Sequence, residues 1–578
     1  MMYYKLRLLP VLAVATALLS SCHSVPKHAR YIPKDAFVVV GLHTGEIRKE
    51  LAWSAITGSG LLEDLRKAGA ADRAPAAVQD LDKAGIDYSS TLYCYVKPDT
   101  RFADGMKVGV VVPMSDAGKM KEYVTSHFPG IQVQADGGRS FVFLDRKVCI
   151  SWNDDVMIAM NSVVHKVEHK EEGHADTIGG VPMQGQPYTW TEETSDSSAT
   201  VAELAAAFQP VKNSGIDENS HFVALEKAGH DITFWMSYDA VMDFAGSRSG
   251  DPGELGIMRS SVGNTLFKGS AMAVGFNFEK GRVDGLMRYY ASDSMKPVAR
   301  EFAHENIDGD MLRRLPAPGL NLAAGYHLSP ALVKLSLEKM GLSGVANLAL
   351  MAQGVSMDDV LGGFTGDMVL AINNFRVEKK LQQIDSATQK EYGLTPYPIT
   401  TPSMDYVFAM KIGDRAKLNK LIALMDKSSM LKQTAPNAYM LPGAEGVTMV
   451  VGDKYIAVST AQASAQAFLR DHGGAMPDAV HQEIAGHPIG VWADIQSFLG
   501  GSAAVAGGSP SDSATLMLAR NTFSTFSLHG GEMKDGANEY HMSVRFVNKD
   551  ENSLAQLLHF AQQLSAIGSS KKQEVTLR

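Results

Sequence analysis

Beyond residue 30 the chain alternates short apolar runs with amphipathic stretches, and that alternation sets its elements. Phe37-Val38-Val39-Val40-Gly41-Leu42-His43 is an apolar run of strand length, and helical spacing follows it as far as Leu65. A short helix over Ala76–Ala84 precedes two strand-like runs, Leu92-Tyr93-Cys94-Tyr95-Val96 and Val108–Val112. Met120, Tyr123 and Val124 share one helical face, and Ser115 stands where the cap of that helix is expected. Phe141–Leu144, Lys147–Ser151 and Val156–Met160 read as three short strands joined by tight turns.

The same order returns later. Leu322-Ala323-Ala324-Gly325-Tyr326-His327 repeats the first strand, with Gly-x-His at 41–43 and again at 325–327. Asp116-Ala117-Gly118-Lys119 finds Asp414-Arg415-Ala416-Lys417 at a spacing of 298, and Asp155, Ile158 and Ala159 find Asp453, Ile456 and Ala457 at the same spacing. Ala228-Gly229-His230-x-Ile232-x-x-Trp235 returns 257 residues on as Ala485-Gly486-His487-x-Ile489-x-x-Trp492. Ala273–Phe278 with Val283–Tyr290 resembles Thr525–Leu528 with Glu539–Phe546, two hairpins each followed by a helix. Ordered self-similarity at a domain-sized period implies an internal duplication. The expected fold is α+β, in two copies, each with a larger and a smaller unit of mostly antiparallel or mixed sheets with packed helices.

The expected boundaries are a signal peptide at 1–21, a tether at 22–30, the first copy's large unit at 31–160 and its small unit at 199–311. The second copy has its large unit at 312–472 and its small unit, with a C-terminal tail, at 473–578. A polar insertion at 161–198 and a second one from Arg376 to Pro402 interrupt the copies. Long loops of this kind are usually functional or disordered, so both are expected to be loops where partners are met, the first a mobile, solvated loop or a short exposed helix.

The N-terminus supplies an address. Lys5 and Arg7 precede an apolar run from Leu8 to Leu19, too short to span a bilayer, and Leu19-Ser20-Ser21-Cys22 has the form of a lipoprotein lipobox. That pattern implies cleavage before Cys22 and acylation of its thiol, so the first partner is the lipid bilayer. No later stretch is long and apolar enough for a membrane helix. A hydrophobic fraction of 45% and a charged fraction of 20% suit a folded body. A net charge of −9 without a basic block argues against nucleic acid as a partner. Cys94 and Cys149 remain after Cys22; a disulfide in an oxidising compartment and two free thiols are both compatible with their strand-like settings.

The lipobox, the opening Tyr31-Ile32-Pro33-Lys34-Asp35-Ala36 before a Val-rich strand, and the duplicated body together resemble a family of Bacteroidetes envelope lipoproteins known only as a domain of unknown function. The resemblance implies an envelope lipoprotein and brings no catalytic residues. Acidic residues often follow the lipidated Cys in members exported to the cell surface; His23-Ser24-Val25-Pro26-Lys27 has none, which implies the outer membrane with the body facing the periplasm.

One string looks catalytic. His165-Lys166-Val167-Glu168-His169 has the H-x-x-E-H pattern in which two His on one helical face share a zinc and Glu acts as base, the alternative reading being a zinc-dependent peptidase. Against it, the string lies in a polar insertion and lacks an apolar stripe to hold a rigid helix. The recurrent His43, His230, His327 and His487 have no carboxylate or Cys at ligand spacing, so a structural role is expected of them. Trp235 and Trp492 are expected core anchors, and Met120, Met242, Met340 and Met351 gap-fillers on helical faces. Nucleotide cradles and the Gly-x-Ser-x-Gly elbow are absent. The sequence therefore points to a non-enzymatic binding or scaffold protein with no cofactor and an envelope protein or polymer as its ligand.

Overall fold

The computed structural model describes residues 24–50, 81–99, 106–145, 148–161, 164–171, 176–178, 181–183, 188–195, 197–209, 214–242, 263, 265–382, 393, 395, 397–444, 446–470, 476–502 and 510–576. Cys22 with its lipobox and the stretch 51–80 lie outside them. The class is α+β: helices pack on sheets whose pairings in the described residues are antiparallel. None of the described helices is long and apolar enough to cross a membrane. The chain forms two compact units, the first made of described residues up to 242 with 273–275, the second of the rest.

In the first unit the apolar run becomes β1 (Val38–His43), followed by β2 (Thr91–Pro98) and β3 (Met106–Pro113). Helix α1 (Ala117–His127) then leads to β4 (Gln134–Asp136), β5 (Arg139–Asp145), β6 (Val148–Trp152) and β7 (Val156–Asn161). After β8 (Val164–Glu171), β9 (Asp176–Ile178), β10 (Val181–Met183) and β11 (Tyr188–Ser195) come α2 (Ser197–Ala207), α3 (Ser220–Lys227) and β12 (Ile232–Ser237). The strands line up as β12-β1-β2-β3-β7-β6-β5-β4.

The remaining chain runs through β13 (Ala271–Glu279), β14 (Arg282–Tyr290), α4 (Lys296–Phe302), β15 (Leu320–His327), α5 (Pro330–Lys339), β16 (Phe364–Gln382) and β17 (Tyr397–Ile412). Next are α6 (Arg415–Lys427), β18 (Lys432–Ala435), β19 (Ala438–Met440), β20 (Thr448–Val451), β21 (Tyr455–Ser459), α7 (Gln462–Leu469) and α8 (Asp478–Ile484). The last strands are β22 (Ile489–Asp494), β23 (Phe523–Lys534) and β24 (Ala537–Phe546). In the second unit the order is β22-β15-β16-β17-β21-β20-β19-β18, and β22 continues through β23 and β24 to β14.

Register follows the same pattern inside each unit. Trp235 stands opposite Val39, and Trp492 opposite Ala323; Tyr93 stands opposite Val111, and Val369 opposite Ala409. Met114, Met120, Val124 and Trp152 form one small core, and Ile412, Leu418, Ile422 and Val451 another. The first three pairs of these are 298 residues apart. The β6–β7 and β20–β21 hairpins differ from the sequence match by one residue. Ile158 lies opposite Val111 while Ala457 lies opposite Ala409, so Ile158 is level with Ala457 and not with Ile456. Because side chains alternate along a strand, that one-residue slip decides which positions face inward.

Gly41 and Gly325 are required by close approach. A β-carbon at Gly41 would come within 2.4 Å of Thr233 Oγ1, and one at Gly325 within 2.8 Å of Ile307 Cγ2. Asp116, not Ser115, caps α1, its carboxylate accepting from Lys119 N at 3.0 Å; the Ser115 hydroxyl instead donates to Gly85 O. Asp414 caps α6 by accepting from Ala416 N and Lys417 N at 2.8 and 3.1 Å.

Both polar insertions hold β-ribbons where loops were expected. β8 pairs with β11, β9 with β10, and β16 and β17 run past the sheet as paired extensions, with Arg376 opposite Ser403 and Gln382 opposite Tyr397. The tracts Val164–Glu171 and Tyr188–Ser195 combine Thr, Val and aromatics, which suit a pleated ladder whatever their charge. Trp235 is buried and Trp492 packs at the edge of the second unit's core, but Met351, expected to fill a gap, is 61% exposed.

Candidate functional site

The histidine that ends β15 is built into a carboxylate clasp. His327 stands opposite Asp367 of β16, and its Nδ1 lies 2.7 Å from Asp367 Oδ1 while its Nε2 lies 2.7 Å from Glu305 Oε2. Asp367 also accepts from Asp308 N at 3.2 Å and from Thr365 Oγ1 at 2.8 Å, and Lys411 Nζ reaches Asp308 Oδ2 at 2.7 Å. Both ring nitrogens face acceptors, the arrangement an imidazolium satisfies by donating twice. The hydrogen bond to Asp367 raises the His327 pKa above its ordinary value against the opposing effect of burial. Burial pushes Asp367 up, but the hydrogen bonds from His327 and Thr365 outweigh it and hold that carboxyl below the usual range.

The first unit places His43 at the matching point of β1, opposite Thr91. Its Nδ1 is 3.0 Å from Thr91 Oγ1 and its Nε2 3.4 Å from Glu226 Oε2. Glu226 is 1% exposed and accepts from Tyr93 Oη at 2.5 Å and Thr233 Oγ1 at 2.8 Å. No carboxylate stands at ligand spacing from these histidines in the sequence, because Glu226 and Asp367 are brought in by α3 and by strand pairing.

In the second unit two clefts lie on opposite faces of the β14–β24 pair. Asn538 and Tyr540 of β24 line one; His541, Ser543 and Arg545 line the other. The first is an apolar groove of about 380 Å³ under α4 and α5, lined by Met295, Val298, Phe302, Leu332, Ile489 and the rings of Tyr289, Tyr326 and Tyr540, with no charged side chain among its described liners. Its few polar groups are largely engaged: Asn538 Nδ2 donates to Ala299 O and Gly531 O, and Ser336 Oγ to Leu332 O. Burial pushes the Tyr540 hydroxyl up to about 12.

The opposite cleft, about 540 Å³ in volume, is polar and runs between α8 and strands β14, β24 and β23. Beside it the rings of His487, just before β22, His529 of β23 and His541 of β24 stack in a row, with centroids 4.3 Å and 5.5 Å apart and planes within 26° and 23°. His487 bonds Glu532, and His541 Nε2 lies 3.2 Å from Glu539 Oε1. His529 Nδ1 is buried without a hydrogen-bond partner. Burial first, then the neighbouring His487 and His541, lower the His529 pKa.

The structure does not bring His165, Glu168 and His169 onto a helix. They lie on β8, opposite Thr194, Thr191 and Trp190, where a rise of about 3.3 Å per residue puts residues four apart some 13 Å from each other. The helical face on which a shared zinc depended is therefore missing. Among the described residues no group of three or more His, Cys, Asp or Glu is arranged to hold a metal ion. Cys94 is exposed and Cys149 buried, both as free thiols, and burial pushes Cys149 up to about 11.

No family model matches the sequence, and no curated protein does. Among solved structures the chain aligns with TP0453 in crystal forms III, I and IV, each at a TM-score of 0.25. Identities are 8%, 7% and 8%, over 46%, 47% and 49% of this chain and 81%, 81% and 88% of that one. A likeness this slight bears on neither fold nor function.

Proposed function

We propose that the chain is a lipid-anchored envelope lipoprotein, built by internal duplication, that binds a ligand rather than transforming one. The observation that carries the binding role is the apolar groove under α4 and α5. Its volume falls in the range of small-molecule sites, and its described liners offer apolar contact with few free polar groups and no charge. An acyl chain of an envelope lipid matches that chemistry, and the anchor would keep the groove near a supply of it. The test is displacement of a fluorescent fatty-acid analogue from residues 23–578, comparing the parent chain with Val298→Trp, which fills the groove. Binding should fall at least about tenfold, the loss of roughly two buried methylenes; equal binding by the variant would remove the groove from the function.

The duplication is supported by two successions of eight strands paired in one order, by cores whose members recur at 298, and by Asp caps on α1 and α6. The anchor is supported by the lipobox flanks alone. Intact mass of the membrane fraction should show diacylglyceryl on Cys22 as the first residue, and Cys22→Ala should release the chain from the membrane. An unmodified chain in the soluble fraction would refute it.

A further inference from the structure

The polar cleft carries a second binding chemistry, separate from the apolar groove. Its two carboxylates are already satisfied. Asp284 accepts from Arg282 Nε at 2.8 Å and from Ser543 Oγ at 2.9 Å. Glu483 of α8 accepts from Arg545 Nη2 at 2.5 Å and from Ser527. Each acid is thus capped by one guanidinium and one hydroxyl. What these liners have left to offer is donors, since a guanidinium carries five N–H groups and each pair uses one of them. Arg282 and Arg545 keep about half of their side chains exposed, at 51% and 43%. The imidazoles of His529 and His541 add to the same wall.

The charge of that wall depends on the stacked rings. With the histidines neutral, two arginines balance Asp284 and Glu483. The groups that face His529 are His487 and His541 on either side, Glu483 from α8 and Glu532 from its own strand. Glu539, beside His541, is already bonded by Arg288 at 3.0 Å, and Lys534 lies 3.5 Å from it. His481 of α8 is engaged elsewhere, 3.3 Å from Gly309 O. A proton on His529 would sit between two imidazoles, with Glu483 already bonded by Arg545 and Ser527 and Glu532 by His487, a state that an added anion relieves.

We propose that the cleft between α8 and strands β14, β24 and β23 is an oxyanion-binding site that fills as His529, stacked between His487 and His541, takes up a proton. A sulfate, a phosphodiester or a lipid phosphate headgroup presents the shared chemistry: several acceptor oxygens, no donor and a permanent negative charge. Binding and protonation are reciprocal, so the anion must raise the proton affinity of His529 by the factor by which the proton raises its own affinity.

Titration calorimetry of residues 23–578 with sulfate, and separately with dimethyl phosphate, tests this at pH 5.5 and pH 7.5, where neither probe titrates. Vesicles of phosphatidylglycerol in phosphatidylcholine form a third arm, which separates a headgroup from a free anion. One proton taken up across two pH units strengthens binding by between about tenfold and a hundredfold. Buffers of different ionisation enthalpy should report uptake of about one proton per anion. His529→Gln should abolish the pH dependence, and Arg545→Gln should weaken binding at both pH values, with circular dichroism confirming that each variant folds. Saturable binding to vesicles alone would assign the site to a headgroup. Equal affinity at the two pH values, pH dependence retained in His529→Gln, or no binding in any arm would overturn the proposal.

Discussion

The His327 clasp and the His529 stack belong to one unit and use one side-chain type, yet they treat a proton in opposite ways. His327 has a carboxylate at each ring nitrogen, and its pKa rises; His529 has an imidazole on each side and a buried nitrogen without a partner, and its pKa falls. Both are partly buried, so burial alone cannot separate them. The identity of the neighbours does. His43 makes the point from the other unit: it holds the place of His327 in the register, but Thr91 stands where Asp367 does. A shared backbone position leaves the electrostatics free to diverge.

The largest effect is expected where the buried partner is hardest to replace. Glu226→Leu would strip the acceptor from the Tyr93 and Thr233 hydroxyls, which point at it from inside the first unit. Two stranded hydroxyls cost about 3 kcal/mol together, and urea denaturation should show that loss. A cost below about 1 kcal/mol would mean that the cluster rearranges and that His43 needs no carboxylate.

Asp367→Asn comes next and tests the clasp by its pH dependence. His327 has its pKa raised by folding, so its contribution is full below the unfolded value near 6.5 and is lost as pH climbs through the folded one. Asp367 has its pKa lowered, so its share is present above about 3.9 and is lost as pH falls through the folded value. The window of greatest benefit therefore lies between about pH 4 and pH 6.5. With His327 still 16% exposed beside a buried Asp367, about 2 kcal/mol is expected at pH 6 and clearly less at pH 9. A pH-independent cost would reduce the clasp to packing.

The stack should respond with the reverse sign and more weakly. The unfolded chain takes up a proton at His529 near pH 6.5, before the folded one does, so stability drops as pH falls from there toward the lowered folded value. His529→Phe keeps a ring in the stack without the proton site. Its stability loss between pH 7 and pH 5 should be smaller than the parent's by no more than about 1 kcal/mol, since the ring is only half-buried. Identical acid sensitivity in both proteins would show that the stack stores no repulsion.

The sequence announced the scaffold of these sites but not their chemistry. Gly41-x-His43 and Gly325-x-His327 were legible because Gly is needed at a close backbone approach and so recurs beside a recurring His. Glu226 and Asp367 were not, since 183 and 40 residues separate them from their histidines in the chain. The stack was nearly readable. The turn at Asp535-Gly536 sets a register, with Lys534 opposite Ala537, that would place His529 against Met542. A bulge at Gly530–Gly531, whose φ values are 145° and 113°, shifts the ladder by one residue and brings His541 across instead. Nothing short of the bulge itself reveals that shift.

His165 and His169 mark the lower end of the comparison, a pair made by sequence spacing and unmade by backbone geometry. On a helix, residues four apart stack one turn above the other, close enough to share a tetrahedral metal. On β8 the same spacing of four covers about 13 Å, whereas two nitrogens bound to one zinc at about 2.0–2.1 Å can be little more than 4 Å apart. β8 is paired with β11 along its whole length, from Val164 opposite Ser195 to Glu171 opposite Tyr188, so closing that distance would mean breaking the ladder. Replacing His165 and His169 by Thr, a residue that suits a ladder, should therefore change neither zinc affinity nor melting temperature, within about 0.5 kcal/mol for stability. Equilibrium dialysis against zinc and thermal denaturation are the measurements. Stoichiometric zinc that survives dialysis in the parent and vanishes in the double variant would require β8 to leave its partner and rebuild as a helix, and would reopen the peptidase reading through Glu168.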